Sequence, residues 1–506
     1  WMNTQRPEWN DANNALVGKG LSVVTLSYLL RYIVFFKELL KKESNTTVRL
    51  GVEVQGFYAQ IFEILNQFTG MLSSSFSDEQ RRDMMNALGQ AGSNYRWNYY
   101  SQGFSGEVAQ LPTAELISFL DLSQRYVEHS LRANKRSDNL YHAYNVLSLG
   151  DKTATVNYLY EMLEGQAAIL SSGLLSGEET LALLESLRNS QLYRADQHSY
   201  ILYPDRNLDG FLEKNSMTPE QVSGLALVAE LVKANDKTLI IRDEKGTYHF
   251  SGHIRNAKDV ARSLDALKKQ PCYAERVNAE AEKIETLFES VFRHAEFTGR
   301  SGTFFAYEGL GSIYWHMVSK LLLSVQETIL RTRSESSLAG LMDKYTDIRK
   351  GLSFNKTPDV YGAFPTDPYS HTPKGQGARQ PGMTGLVKEE ILTRQAELGL
   401  FIDHGVLTFD FLLLNKNEFL ANSATFTYFG VDGDQQQIEL SARSLAYLVC
   451  QVPVALKSSH ENCITLHFTN GSIQRIEGLS LDAINSRHIF QRDGVVHHLV
   501  VSVADA

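Results

Sequence analysis

The sequence predicts a mainly helical region over residues 1–400, arranged as an α/α toroid or bundle, followed by an all-β sandwich over residues 401–506. Apolar residues recur at three-and-four spacing through the first region, which is the pattern of amphipathic helices. After residue 400 the pattern changes to alternation, which is typical of strands. Proline is scarce, at 11 of 506 residues, and this favours long uninterrupted helices.

The first predicted helix covers the apolar stretch Val23 to Phe36 and extends to Leu40, with Leu26, Leu30 and Ile33 on one face. Further helical patterns follow near residues 51–69, 113–132, 154–171, 177–188, 218–235, 275–295 and 312–333. A single hairpin is predicted among them, since residues 238–242 and 247–250 flank a turn rich in Asp, Lys and Gly. Helices that follow one another in pairs indicate the toroid or bundle, although no fixed repeat period is present.

The C-terminal region carries strand-like segments at residues 406–409, 425–428, 464–468, 472–476 and 495–503. Asp432-Gly433, Asn470-Gly471 and Asp493-Gly494 are predicted hairpin turns between such segments. Ahead of this region, residues 353–385 form a long irregular segment that holds five of the chain's prolines. A segment of this kind is either functional or a linker, and we expect it to line the active site.

Composition excludes several classes of protein. The content of 43% hydrophobic and 21% charged residues is that of a globular chain, not a disordered one. The net charge of −9 disfavours a duplex nucleic-acid binder, which needs a basic face. Three cysteines form neither a disulfide framework nor a zinc spacing, and the Val23–Phe36 run is too short to span a membrane. We therefore expect no metal, no cofactor, no nucleic-acid or membrane partner, and cytoplasmic residence by default.

A polar cluster with one tryptophan stands ahead of the first helix. It reads Arg6-Pro7-Glu8-Trp9-Asn10-Asp11, and Asn13 follows closely. An indole ring offers an apolar platform for a sugar, and amide and carboxylate side chains can hydrogen-bond its hydroxyls. Glu8 or Asp11 could donate a proton if desolvation raises its pKa. The competing interpretation is a helix N-cap formed by Asp11 or its neighbouring asparagines.

A second motif, residues 298–316, has glycines at positions 299, 302, 309 and 311 ahead of a helix. Free N–H groups at a helix start bind anions, and Arg300 could supply a bidentate partner. Without a Gly-Lys-Ser/Thr ending or a preceding strand, the motif is neither a P-loop nor a dinucleotide fingerprint. The competing interpretation is a turn with Ser312 as N-cap and with Tyr314 and Trp315 in the core.

The histidines form no recognisable catalytic pattern. His249 and His253 are four residues apart, but they fall on a strand and the step after it, where this spacing does not place them on one face. We interpret His198, His294 and His316 as structural residues. Because no local Ser-His-Asp arrangement is present, nucleophilic hydrolases are set aside.

Together these features resemble the cellobiose-phosphorylase type of inverting glycoside phosphorylases, glycoside hydrolase family 94. That family has an (α/α)6 catalytic barrel followed by a small β-sandwich. Its acid motif, Ala-Asp-Trp-Asn-Asp, reads Pro7-Glu8-Trp9-Asn10-Asp11 here, and its Thr-Gly-Ser-Ala-Gly-Trp-like phosphate motif resembles residues 310–315, with Leu310 in place of threonine. The resemblance implies that Asp11 protonates the glycosidic oxygen and that Trp9 stacks on a sugar.

The resemblance also implies a phosphate site and inorganic phosphate as co-substrate. Its candidate residues are Arg300, Gly311, Ser312, His253, Lys374 and Arg379, of which His253 is the nearest counterpart of the family's phosphate histidine by position. Trp9, Asn10, Glu8, Arg6 and Asn13 are the candidate sugar-binding residues. In the family, half of the barrel and a large β domain precede the acid motif. We therefore expect a C-terminal part of a longer polypeptide, with insertions at about 44–240 and the 353–385 loop.

Three functions remain open. The first is phosphorolysis of a β-linked gluco-oligosaccharide, and the second is inverting hydrolysis on the same scaffold with Glu308 as the base. The third is a carbohydrate-binding or scaffold protein without chemistry. The expected partners are an oligosaccharide, a second copy of the chain in a homodimer, and the N-terminal remainder of the same polypeptide.

Overall fold

The structure is a computed structural model that describes residues 20–43, 45–204, 211–292, 313–352, 356–361, 371–372 and 384–504. The chain divides into two compact units, Trp1–Met383 and Thr384–Ala506. The described part of the first unit is mainly helical, and the second is rich in strands. A mainly helical region followed by a β-rich one is thus confirmed, while the (α/α)6 barrel and the sandwich remain predictions.

The described part of the first unit contains fourteen α-helices, and several of these helices have three or more turns. They are α1 (Val23–Lys42), α2 (Val52–Gln67), α3 (Asp78–Gln102), α4 (Thr113–Ala133), α5 (Leu163–Ser171), α6 (Gly177–Arg188), α7 (Phe211–Lys214), α8 (Pro219–Val222), α9 (Ala226–Lys233), α10 (Ala257–Lys268), α11 (Ala274–Phe292), α12 (Trp315–Arg331), α13 (Leu338–Lys350) and α14 (Pro358–Tyr361). The predicted helix at 177–188 is confirmed with the same bounds.

Short strands connect these helices. They are β1 (Gly20–Ser22), β2 (Thr47–Gly51), β3 (Val108–Pro112), β4 (Tyr144–Leu149), β5 (Ala154–Tyr158), β6 (Tyr193–Arg194), β7 (Ser199–Tyr200), β8 (Ile240–Arg242), β9 (Tyr248–Phe250), β10 (Ile313–Tyr314) and β11 (His371–Thr372). The predicted β8–β9 hairpin is confirmed. The prediction of a single hairpin is wrong, since β1, β4 and β5 form a sheet and β2–β3, β6–β7 and β10–β11 form ribbons. Residues 154–158, predicted as helix, form β5 and pair with β4.

Helices α5 and α12 form the centre of the first unit. They pack against each other, and α5 is buried along nearly its whole length. The side-chain amide of Gln166 accepts a hydrogen bond from the N–H of Tyr141 at 2.9 Å and donates one to its carbonyl at 2.8 Å. Gly165 lies so close to Ala143 that a Cβ there would come within 3.0 Å of the Ala143 nitrogen. Helix α5 is therefore fixed against the 141–145 segment by both contacts.

Residues 217–292 enclose a hydrophobic core of their own. Its buried side chains run from Met217 through Leu231, Ile240 and Phe250 to Phe292. Within it, the buried carboxylate of Glu280 accepts hydrogen bonds from the N–H groups of Ala226 at 2.9 Å and Leu227 at 2.8 Å. A carboxylate at this position caps the start of α9 and complements the helix dipole.

The second unit begins with α15 (Thr384–Glu397), and α16 (Ala483–Gln491) lies between its last strands. Its strands are β12 (Leu400–Asp403), β13 (Val406–Phe409), β14 (Ala424–Phe429), β15 (Gln435–Leu440), β16 (Ser444–Val449), β17 (Val452–Ser459), β18 (Cys463–Phe468), β19 (Ile473–Glu477) and β20 (Val496–Ala504). The last five form a sheet of order β16-β17-β20-β18-β19, in which only β17 and β20 are parallel.

The predicted turns of this unit have different outcomes. Asp432-Gly433 joins β14 to β15, and Asn470-Gly471 joins β18 to β19, as the sequence predicts. The prediction of a hairpin at Asp493-Gly494 is wrong, because this dipeptide connects α16 to β20. A short polar turn such as Asp-Gly can follow either a strand or a helix. The dipeptide alone therefore does not show which of the two precedes it.

A β-bulge interrupts the pairing of β18 with β20. His467 lies opposite His498, whereas Phe468 lies opposite Val496, so that His497 is the extra residue. The His467 and His498 rings stack with centroids 4.1 Å apart. The Nδ1 atoms of His497 and His498 lie 2.7 Å apart. A bulge can direct neighbouring side chains to one side of a sheet, and here it gathers three histidines.

Candidate active site

Most of the residues that the sequence nominates for the site lie outside the described residues. These are Arg6, Glu8, Trp9, Asn10, Asp11 and Asn13 in the first segment, Arg300, Glu308, Gly311 and Ser312 in the glycine motif, and Lys374 and Arg379 in the irregular loop. His294 and Leu310 lie outside them as well. The roles assigned to these residues remain predictions.

His253 is a nominated phosphate-binding residue that the structure describes. It lies on the connection between β9 and α10, with an exposed side chain whose Nε2 is 3.4 Å from the hydroxyl of Ser263. Phe250, three residues before His253, and Ile254, directly after it, belong to the core formed by residues 217–292. Its predicted role in phosphate binding remains untested.

The end of the glycine motif pairs with the irregular loop. Ile313 lies opposite Thr372, and Tyr314 lies opposite His371, in the antiparallel ribbon of β10 and β11. Strand β7 lies beside β10. The structure thereby brings together two segments that the sequence nominates separately for anion binding, and adds the 193–200 segment to them.

Helix α12 starts directly after this ribbon. Its N-cap is Tyr314, not the predicted Ser312. Trp315 is fully buried, and Tyr314 and His316 are buried too, so the interpretation of Tyr314 and Trp315 as core residues is confirmed. The Tyr314 hydroxyl lies 3.3 Å from Nδ1 of His316. The apolar side chains Ile313, Met317, Leu321 and Val325 are buried as well.

Lys356 extends into this region from the start of the irregular loop. Its ammonium lies 4.7 Å from the centre of the Trp315 ring, within the range of a cation–π interaction. It donates hydrogen bonds to the main-chain carbonyl of Gln197 and, at 3.4 Å, to the Gln197 side-chain oxygen. These contacts hold a lysine between the start of α12 and the 193–200 segment.

Two cations lie close together here. Burial and, to a smaller extent, the Arg194 guanidinium lower the pKa of Lys356 to about 8, against the opposing effect of Asp196. Arg194 is itself buried and forms a bidentate pair with Asp196, at 2.8 and 3.0 Å. The Arg194 charge disfavours the charged form of Lys356. A bound anion would therefore relieve the repulsion between the two cations.

The 193–200 segment also contains His198, which contacts helix α13. Nε2 of His198 lies 2.9 Å from the Asp347 carboxylate, and Nδ1 lies 3.3 Å from the Tyr193 hydroxyl. The backbone of His198 is left-handed, with φ of 47°. Gly351 approaches it so closely that a Cβ would lie 2.1 Å from the His198 carbonyl oxygen. Close packing against α13 therefore holds this segment in place.

Sequence reasoning missed Lys356, Arg194 and Asp347 and treated His198 as structural. A signal was present in the polar run Arg194, Asp196, Gln197 and His198, which interrupts an otherwise apolar stretch. Lys356 stands in the irregular segment without a motif around it. Its proximity to Trp315 depends on tertiary packing, which spacing in the sequence does not encode.

Residues 208–295 match the family model of GH149 phosphorylase insertion domain 2. The match covers a minority of the chain and coincides with the segment that encloses its own hydrophobic core. It supports a relationship to glycoside phosphorylases and an enzyme of that general kind. It does not support family 94 specifically or a cellobiose phosphorylase.

No match to this chain is found among curated proteins. Within the described ranges, no helix has the length and apolar character needed to cross a membrane. The same part of the chain contains no group of three or more His, Cys, Asp or Glu side chains that could hold a metal ion.

Proposed function

We propose that the protein is an inverting glycoside phosphorylase that acts on a β-linked gluco-oligosaccharide. The observation that carries this proposal is the antiparallel pairing of Ile313 and Tyr314 with Thr372 and His371. It joins the glycine motif to the irregular loop beside two cations, the half-buried Lys356 and the buried Arg194. The insertion-domain match at residues 208–295 supports the same class of enzyme.

In the proposed reaction Asp11 is the general acid. A phosphate oxygen attacks the anomeric carbon from the face opposite the leaving group, and the glycosidic C–O bond breaks. The Asp11 proton passes to the departing oxygen. A β-linked substrate therefore yields an α-sugar 1-phosphate and a shortened oligosaccharide. Because phosphate is already anionic, donors that hold it replace the catalytic base of a hydrolase.

Lys356 and Arg194 extend the proposed phosphate site beyond the residues that the resemblance implies. Arg300, Gly311, Ser312, Lys374, Arg379 and His253 remain the other proposed phosphate-binding residues. Lys356 is adjacent to Trp315, the last residue of the phosphate-like motif. A charged donor next to that motif would compensate for Leu310, which lacks the threonine hydroxyl of the related family.

Product analysis tests this proposal. The full-length protein is incubated with β-linked gluco-oligosaccharides with and without inorganic phosphate, and the sugar 1-phosphate and free sugar are quantified. We expect sugar 1-phosphate only when phosphate is present, and loss of turnover in Asp11→Asn with sugar binding retained. Release of free sugar without phosphate would contradict the proposal.

The second candidate is an inverting hydrolase with Glu308 as base. Leu310 in place of threonine is the observation that favours it. A hydrolase needs a second carboxylate to activate water, so Glu308→Gln would abolish its turnover. A phosphorylase would retain most of its activity in that variant. Sugar binding without turnover of any glycoside would instead indicate a carbohydrate-binding protein.

A further inference from the structure

An open cavity of about 300 Å³ in the second unit is lined by Thr469 of the β18–β19 turn and by three further connections. They are the β14–β15 turn around Asp432, the β16–β17 turn at Gln451, and the α16–β20 connection at Arg492 and Asp493. Each of these four residues lines the cavity. Its volume is at the lower end of small-molecule sites, so that it fits a ligand of about one ring.

Two of the lining residues have an unfavourable backbone conformation. Gln451 has φ of 69° and Arg492 has φ of 52°, in the left-handed region that favours glycine. Gln451 and Cys450, with φ of 48°, form a two-residue turn between the paired residues Val449 and Val452. Asparagine and glycine are the usual residues of such a turn. Side chains that persist at strained positions are often retained for function.

The polar groups of the cavity are oriented by hydrogen bonds to one another. The Tyr428 hydroxyl donates to the Gln436 side-chain oxygen at 2.8 Å, and the Gln436 amide nitrogen lies 3.3 Å from the Asp432 carboxylate. Arg492 donates to the Gln451 side-chain oxygen at 3.4 Å, and the Gln451 amide donates to the Gly430 carbonyl at 3.2 Å. These contacts pre-organise both donors and acceptors.

The mixture of groups identifies the chemical class of the ligand. Two carboxylates, Asp432 and Asp493, disfavour a phosphate, although Arg492 alone would attract one. Among the described residues no cluster of three potential ligands could hold a metal ion. Carboxylates, amides and a guanidinium are suited to hydroxyl groups, which both donate and accept. Val431 lines the cavity, is partly exposed, and offers an apolar surface to the C–H groups of a ring.

We propose that this cavity binds one sugar ring of a carbohydrate, through Asp432, Gln436, Gln451 and Arg492. The site does not depend on the proposed catalytic function. It gives the second unit a carbohydrate-binding role that is separate from cleavage of the glycosidic bond.

Glycine substitutions separate binding from folding. Gln451→Gly and Arg492→Gly remove a lining side chain and also remove the strain, so both variants should retain their thermal stability or gain some. Cys450→Gly is the matched control, because it relieves strain in the same turn at an exposed residue outside the cavity lining. Binding of glucose, galactose, mannose and cellobiose to the full-length protein is measured by saturation-transfer NMR titration, and binding of inorganic phosphate and Ca²⁺ by calorimetry.

We expect at least one sugar to bind, and its Kd to rise about tenfold or more in Gln451→Gly and Arg492→Gly, with no change in Cys450→Gly. Sugar bound at the catalytic site is unaffected by these substitutions, and turnover should be unchanged. The proposal is overturned if no sugar binds, if neither cavity variant weakens binding, or if these variants instead lose binding of phosphate or Ca²⁺. Because turnover and cavity binding are measured separately, failure of one proposal is distinguishable from failure of the other.

Discussion

The Lys356 ammonium lies 4.7 Å from the centre of the buried Trp315 ring and donates to both oxygens of Gln197. Lys356→Met removes the charge and keeps most of the apolar stem. We expect the KM for phosphate to rise about tenfold or more, because a hydrogen bond to a charged group contributes about 1.5–3 kcal/mol. Steady-state kinetics with phosphate as the varied substrate measures this effect.

Lys350→Met is the matched control, since Lys350 is exposed at the end of the nearby helix α13. It should leave the KM for phosphate unchanged. Equal KM values in wild type and Lys356→Met would exclude Lys356 from the phosphate site.

The lowered pKa of Lys356, about 8, predicts opposite pH trends for binding and stability. Phosphate binding should weaken as pH rises above 8, because the ammonium loses its proton. In the unfolded chain the lysine pKa is about 10.4, so between pH 8 and 10.4 the unfolded state holds more protons. The contribution of Lys356 to folding stability therefore improves as pH rises through this window.

The phosphate KM and the thermal midpoint, each measured from pH 7 to 10, test these two trends. Lys356→Met should show neither the rise in KM near pH 8 nor the corresponding gain in stability. A KM profile of the same shape in both proteins would assign the titration to another group.

Glu280 is predicted to stabilise the module formed by residues 217–292. Its buried carboxylate accepts two N–H groups at the start of α9, and Glu280→Gln replaces a charged acceptor with a neutral one. Loss of one of the two acceptor oxygens and of the favourable charge costs about 1 kcal/mol. Hydrogen exchange of residues 226–233 should therefore accelerate about fivefold. Glu285→Gln, at an exposed position of the same helix α11, should have no such effect.

The three histidines at the β-bulge predict sensitivity of the second unit to acid. Burial, together with the neighbouring His467 and His497, lowers the pKa of His498 to about 4. An unfolded histidine has a pKa near 6.5, so the unfolded state holds more protons between pH 4 and 6.5. Stability should therefore fall as pH decreases through this window.

Urea unfolding followed by circular dichroism at pH 4.5, 5.5 and 7 measures this loss of stability. His498→Gln should show a smaller loss than wild type, whereas His460→Gln, at an exposed site of the same unit, should match wild type. A loss of equal size in all three proteins would assign the acid sensitivity to other groups.

The sequence predicts the local elements best. The α6 bounds follow from the spacing of Leu183, Leu184 and Leu187, which are buried, and from the capping box of Ser176 with Glu179. Strand β13 and the two Asx-Gly hairpins are also local patterns. By contrast, α3 is missed, because it is polar around most of its surface and buries only Ala91.

The candidate site is harder to predict because its contacts are between distant segments. Ribbon β10–β11 joins residues that are far apart in the chain, and each of its strands has only two residues. Neither strand has enough length to show alternation. Lys356 and Trp315 are likewise distant in the chain, and the ammonium lies directly over the Trp315 ring while it donates to Gln197 of the 193–200 segment. The residue types of the glycine motif indicated an anion site, but their tertiary neighbours could not be inferred.

The most direct measurement of the proposed phosphorolysis is phosphorus-31 NMR of the full-length protein with a β-linked gluco-oligosaccharide and inorganic phosphate. We expect the inorganic phosphate signal to decrease while the signal of an α-sugar 1-phosphate grows, and we expect Asp11→Asn to abolish this change. An unchanged phosphate signal, while the oligosaccharide is hydrolysed to free sugar, would contradict it.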